Sequence, residues 1–127
     1  MLRTDPFELV FKALSDLTRV RALKAILSAG EPVCVCELAD ALQIPQYQVS
    51  KHLSILRQAG LVADTRIGTW VYYSVSPSAP EFVLKLYELI RNEVKGPVFD
   101  ADEVRLKARL AMREDGRCVV GPGRGLK

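Results

Sequence analysis

A chain of 127 residues with 49% apolar residues is long enough for one domain with a modest core and too short for two ordinary ones. Its formal charge of +3 is compatible with nucleic acid without requiring it, and no window approaches the roughly 20 apolar residues of a membrane span. Met1 to Phe7 has no basic stretch leading into an apolar run, so the expectation is a cytoplasmic protein whose three cysteines stay reduced.

In chain order, Asp5-Pro6-Phe7-Glu8 combines an N-cap Asp, a Pro at the first helical position and a capping-box Glu. Phe7, Val10, Phe11 and Leu14 then follow at helical spacing, predicting a first helix with one apolar stripe. Ser15-Asp16 restarts the pattern. Val20, Leu23, Ile26 and Leu27 share one face of a second helix, Arg19, Arg21 and Lys24 lie largely on the other, and Gly30 ends it.

A short helix from about Cys36 to Leu42, the turn Gln43-Ile44-Pro45 and a longer helix from about Gln46 to Ala59 read as a helix-turn-helix. Val49, Leu53 and Leu56 form the inner face of the longer helix, leaving Gln46, Tyr47, Gln48, Ser50, Lys51 and Ser54 mostly outside. The period then changes to two. Leu61 to Ile67 and Trp70 to Val75 predict a hairpin around Gly68-Thr69 with Arg66 at its tip.

Ser76 to Pro80 breaks the chain, and Phe82, Val83, Leu86, Leu89 and Ile90 predict another apolar helix ending by Gly96-Pro97. Asp100 to Arg113 reads as a charged helix carrying Val104, Leu106, Leu110 and Met112. Asp115-Gly116-Arg117-Cys118 and Gly121 to Gly125 read as a flexible basic tail. The fold class is therefore mainly α with a β-hairpin wing. Residues 1–96 read as a winged helix-turn-helix domain, and 97–127 as a helix and the tail with Cys118.

Cys34 and Cys36 lie directly ahead of the helix-turn-helix, and thiolates select soft, thiophilic ions. In a helix, positions two apart point about 200° from one another, so their sulfurs cannot share an ion; in extended backbone they fall on one side. A shared ion therefore requires non-helical backbone at Cys34 or fraying of the first turn near Cys36. The competing reading is two small buried hydrophobes flanking Val35.

The succession of elements resembles the ArsR/SmtB family of bacterial metal-sensing repressors, most nearly its arsenic-responsive type. The resemblance is carried by Leu14-Ser15-Asp16-Leu17-Thr18-Arg19, Val33-Cys34-Val35-Cys36-Glu37-Leu38, Val49-Ser50-Lys51-His52-Leu53, Leu56-Arg57-Gln58-Ala59-Gly60-Leu61-Val62 and Gly68-Thr69-Trp70-Val71-Tyr72-Tyr73. It implies a cytoplasmic homodimer that represses transcription by binding an imperfect inverted repeat in operator DNA, and that releases it when an inducer binds. The first helix and the one after the hairpin would form most of the dimer interface.

In that setting the inducer is As(III), with Sb(III), Cd(II) and Pb(II) as alternatives, and no organic cofactor is expected. Trivalent arsenic prefers three thiolates. Relatives often carry a third cysteine soon after the pair, where this chain has Leu38-Ala39-Asp40, so Cys118 is the candidate third ligand, with a small cellular thiol as its rival. Metal ligation would then hold the helix-turn-helix entry in a distorted form that docks poorly on DNA. A thiol redox switch involving Cys118 is a further alternative.

For DNA, Gln46 and Gln48 suit adenine edges, Ser50 and Lys51 bases or phosphates, and Tyr47 a phosphate or thymine methyl group. His52, adjoining inward Leu53, is expected to pack or to touch a phosphate. Arg66, with Thr69 as a weaker companion, would reach a minor groove or a phosphate from the wing. An enzyme is not expected, since the chain has no phosphate-binding glycine loop, no Ser-His-Asp set and no His near Cys34.

Overall fold

The structure, a computed structural model, describes residues 6–119. The expected N-cap Asp5 and the glycines from Gly121 to Gly125 lie outside the described residues. Among the described residues six helices and three short strands follow one another: α1 Pro6–Ala13, α2 Leu17–Ala29, β1 Val33–Cys34, α3 Val35–Leu42, α4 Gln46–Gln58, β2 Ala63–Ile67, β3 Trp70–Ser74, α5 Glu81–Glu93 and α6 Pro97–Leu110.

Asp16 starts α2 by accepting the Arg19 amide at 3.2 Å, a side-chain cap for an otherwise orphaned donor. Gly30 ends the helix in the left-handed conformation at φ 68°. Between α3 and α4, Gln43 takes φ 58°, and the residues of α4 that point back into the fold are Val49, Leu53 and Leu56, each 0% exposed. With Leu23 and Leu38, also fully buried, they form the centre of the core, each side chain contributing about 1.5–3 kcal/mol by leaving water.

The sheet has order β1-β3-β2 and is antiparallel throughout. Ile67 faces Trp70 across Gly68-Thr69, so the wing is the hairpin expected, with Arg66 opposite Val71 one step below the tip. The two-residue strand β1 is an addition that the sequence pattern does not reveal. It pairs Val33 with Tyr73 and Cys34 with Tyr72, and so ties the residues ahead of α3 to the wing.

Three local expectations change. The α1 stripe divides: Val10 is buried, whereas Phe7 and Phe11 are exposed and meet Phe82 of α5 edge to face at 4.7 and 5.8 Å. Arg21 is not on a solvated face, because it donates to Asp102 at 2.8 and 2.7 Å. In α6 Val104 is exposed while Leu106, Asp102 and Arg109 are buried, because this helix faces the molecule with a mixed apolar and ionic surface that apolar periodicity alone cannot reveal.

Candidate metal centre and nucleic-acid surface

The strand β1 settles the backbone question raised by the cysteine spacing. Cys34 is extended, at φ −72° and ψ 147°, and caps α3, while Cys36 lies in that helix's first turn. The change of backbone state between them turns both sulfurs to one side, and their Sγ atoms are 3.2 Å apart. The helix entry is intact with the thiols already gathered, so no fraying of α3 is needed to bring the pair together.

Cys118 completes the group. Its Sγ is 3.2 Å from that of Cys36, the three sulfurs lie within 4.8 Å of one another, and the residues are 1%, 1% and 2% exposed. Contrary to the reading of a flexible tail, the segment carrying Cys118 is folded. Asp115 and Gly116 take φ 54° and 74°, the paired positive values of a type I′ turn, and Glu114 and Arg117 exchange backbone hydrogen bonds of 2.9 and 3.0 Å. The Asp-Gly dipeptide is the available sequence signal for this turn.

The Cys118 amide then donates to the Tyr72 hydroxyl at 2.9 Å. At the other end, the Cys34 amide donates to Glu37 Oε1 at 2.9 Å. The hydrogen bond from Cys36 holds the Cys34 thiol down to about 6, and the same contact pushes Cys36 up. The Cys34 thiolate is thus stabilised by the neighbouring Cys36 thiol. Among the described residues it is the group of three or more Cys, His, Asp or Glu side chains close enough to share an ion, and an all-sulfur donor set suits a soft, thiophilic ion.

α6 fastens this centre to α3 through partners invisible to local sequence patterns. Arg105 donates to Ala41 O at 2.7 Å and Arg21 to Leu42 O at 2.9 Å, both held by Asp102. Arg109 meets Asp40 at 2.7 Å, and Arg113 meets Glu37 at 2.7 Å and Glu31 at 2.9 Å. Side-chain hydrogen bonds to Asp102 and Glu37 raise Arg21 and Arg113 respectively above the ordinary arginine value.

Gln46, Tyr47 and Gln48 are exposed at the N-terminal end of α4, as is Lys51 one turn on, while Ser50 is half-buried. Gln48 donates to the Tyr47 hydroxyl at 3.2 Å. His52 is half-buried, with Nδ1 3.3 Å from Arg19 Nη1, which ties α4 to the start of α2. Arg66 and Thr69 are exposed on the wing.

The family profile described as bacterial regulatory protein, arsR family, matches residues 16–64, from the cap of α2 into β2. The arsenic resistance transcriptional regulator ArsR2 of Pseudomonas putida is 48% identical over 80 residues, covering 63% of this chain and 69% of that protein. The chain belongs to the ArsR family. ArsR1 of the same organism is 48% identical over 75 residues, 59% of this chain and 58% of that protein, so the shared region spans little more than half of that relative.

The arsenical resistance operon repressor of Escherichia coli is 40% identical over 79 residues, 62% of this chain and 67% of that protein. HlyU from Vibrio cholerae shares the fold with a TM-score of 0.60 at 26% identity, covering 71% of this chain and 94% of that one. This ArsR-family chain is thus a helical protein with a three-stranded antiparallel wing, in a family of regulators rather than enzymes. Among the described residues no helix is long and apolar enough to cross a membrane.

Proposed function

We propose that this chain is a repressor that binds operator DNA as a homodimer across an imperfect inverted repeat, and that lets go when trivalent arsenic, or antimony, is held by Cys34, Cys36 and Cys118. The observation that carries the reading is the buried triad of thiols from β1, α3 and the segment after α6. Three thiols of one chain supply the donor number that trivalent arsenic prefers, without a small-molecule thiol. The arsenic-resistance names of several relatives point the same way.

In this reading residues 1–96 bind DNA and dimerise, and residues 97–127 deliver the third ligand. Gln46, Tyr47, Gln48, Ser50 and Lys51 enter the major groove, His52 orients the helix through Arg19 or meets a phosphate, and Arg66 and Thr69 contact DNA from the wing. The dimer forms through α1 and α5, where Phe7, Phe11 and Leu89 are 52%, 57% and 53% exposed, an apolar surface that a second copy would cover. Ligation couples to DNA through α3, which opens the helix-turn-helix. A coupling of about 1–3 kcal/mol gives a 5- to 150-fold loss of affinity.

A cadmium or lead response has one specific support: a cadmium resistance regulatory protein CadC homolog of Staphylococcus aureus is 39% identical over 66 residues, 52% of this chain and 54% of that protein. Fluorescence anisotropy of the reduced protein on its promoter DNA, titrated with arsenite and separately with cadmium, tests the proposal. Release at one arsenite per subunit is the expected result. Retention of DNA with arsenite, and release with cadmium, would move the inducer to the divalent class.

A further inference from the structure

Cys34 and Cys118, far apart in sequence, are held by backbone hydrogen bonds, and both supports lead to one side chain. Arg113 follows α6 with its side chain 8% exposed. Its Nε and Nη2 donate to Glu37 Oε2 and Oε1 at 2.8 and 2.7 Å, and Glu37, itself 0% exposed, accepts the Cys34 amide. The same guanidinium lies over the Tyr72 ring, 5.7 Å from its centroid, and the Tyr72 hydroxyl accepts the Cys118 amide. Further bonds to Pro32 O at 2.7 Å and Glu31 Oε1 at 2.9 Å fix the guanidinium against the strand that leads to Cys34.

Each part of this arrangement uses a property particular to arginine. A planar fork binds both carboxylate oxygens and fixes the carboxylate plane, which a single ammonium does not. The delocalised cation also stacks on an aromatic face, a contact that strengthens when desolvated. A thiol is placed by its backbone, and groups that hold ligands in position before binding raise affinity by removing the cost of ordering them.

We propose that Arg113 is a positioning residue of the thiol centre, setting Cys34 through Glu37 and Cys118 through Tyr72, so that a thiophilic ion meets three thiols already in register. The inference rests on the thiol-centre reading above. It makes the third thiol dependent on two groups, Arg113 and Tyr72, that are not among the three sulfur donors.

The test uses the full chain, arsenite as the probe, and arsenic X-ray absorption to count sulfur neighbours, with affinity from the near-ultraviolet thiolate-to-arsenic band. Three proteins are compared with the unsubstituted chain. Arg113→Lys keeps the charge without the fork, and Tyr72→Phe keeps the ring and removes the acceptor of the Cys118 amide. The pair Glu37→Gln with Arg113→Gln leaves no lone buried charge, and so folds even where Arg113→Lys does not.

The expected result is three sulfurs in the unsubstituted chain and two in each variant, with arsenite affinity about tenfold or more weaker, the scale found for outer partners of metal ligands. Variants that melt earlier yet keep three sulfurs and full affinity would reduce Arg113 to a stabilising contact and overturn the proposal. Two sulfurs in the unsubstituted chain would instead overturn the thiol-centre reading itself.

Discussion

Arg109 Nε lies 2.7 Å from Asp40 Oδ2, with the two side chains 1% and 8% exposed, joining the last turn of α3 to the last turn of α6. Burial works against the Arg109 charge, and the hydrogen bond and charge of Asp40 outweigh it with help from the nearby thiols, leaving the group above the ordinary arginine value. Removing one partner leaves the other charge buried. Asp40→Asn is therefore expected to lower the unfolding free energy by about 3–5 kcal/mol, measured by urea denaturation at fixed protein concentration. Asp40→Asn combined with Arg109→Met should recover much of that loss; equal loss in both proteins would refute the ion-pair account.

Substituting the thiols separates sensing from DNA binding. Cys34→Ser and Cys36→Ser should each leave operator affinity nearly unchanged and abolish release by arsenite, because Sγ and Oγ are close in size while only the thiolate is a soft ligand. Cys118→Ser should raise the arsenite needed for release by roughly tenfold or more. Full inducibility of the Cys36→Ser protein in the anisotropy titration would remove the thiol centre from the mechanism.

The pH dependence of binding should distinguish a trivalent arsenical from a divalent ion by its sign. Arsenous acid forms three sulfur–arsenic bonds, breaks three arsenic–oxygen bonds and releases three waters, which takes three protons from the thiols or from solution. With Cys34 held down to about 6, that thiol carries no proton to give above that pH. At least one proton must then come from solution, so arsenite affinity should fall with rising pH above about 6. A divalent ion binds thiolates and expels the thiol protons that remain, so its affinity should rise with pH over the same range. Titrations between about pH 5.5 and 8.5 decide the matter.

On the DNA side, Lys51→Ala and Arg66→Ala should weaken binding similarly across sequences and flatten the dependence of log affinity on log salt by about one unit for each phosphate no longer neutralised. Gln46→Ala and Gln48→Ala should act differently, relaxing the preference for particular bases by about 1–3 kcal/mol at one position of each half-site. Unchanged affinity and salt slope for both Lys51→Ala and Arg66→Ala would show that α4 and the wing do not dock as proposed.

Dimerisation through α1 and α5 predicts that Phe11→Lys, a charge placed where the side chain is 57% exposed, leaves the subunit folded while shifting sedimentation toward the monomer. Operator affinity should fall with it, since two linked recognition helices bind far more tightly than one. A dimer that withstands this substitution would place the interface elsewhere.

Much of this architecture is written in short stretches of sequence. Asp16 and Gly30 bound α2, the spacing of Val49, Leu53 and Leu56 sets the inner face of α4, and Gly68-Thr69 marks the wing, because caps, helical periodicity and turn chemistry depend on residues a few positions apart. The pairing of Cys34 with Cys36 is legible for the same reason: two thiols two residues apart converge only where the backbone is not wholly helical. The fold of the segment carrying Cys118 is harder to read although Asp115-Gly116 offers a turn signal, since composition rich in glycine and charge reads first as tail.

By itself, then, the sequence determined the helix-turn-helix, the wing and the presence of a soft ligand pair at the entry to α3. Only the tertiary structure decided that Cys118, 82 positions from Cys36, meets it at 3.2 Å, and that Asp40, Glu37 and Asp102 choose Arg109, Arg113 and Arg21 from among 18 lysines and arginines. The physical reason is range. Local backbone preferences act between neighbours along the chain, whereas a buried charge or thiol takes whichever partner the packing of α6 on α3 brings within a few ångströms.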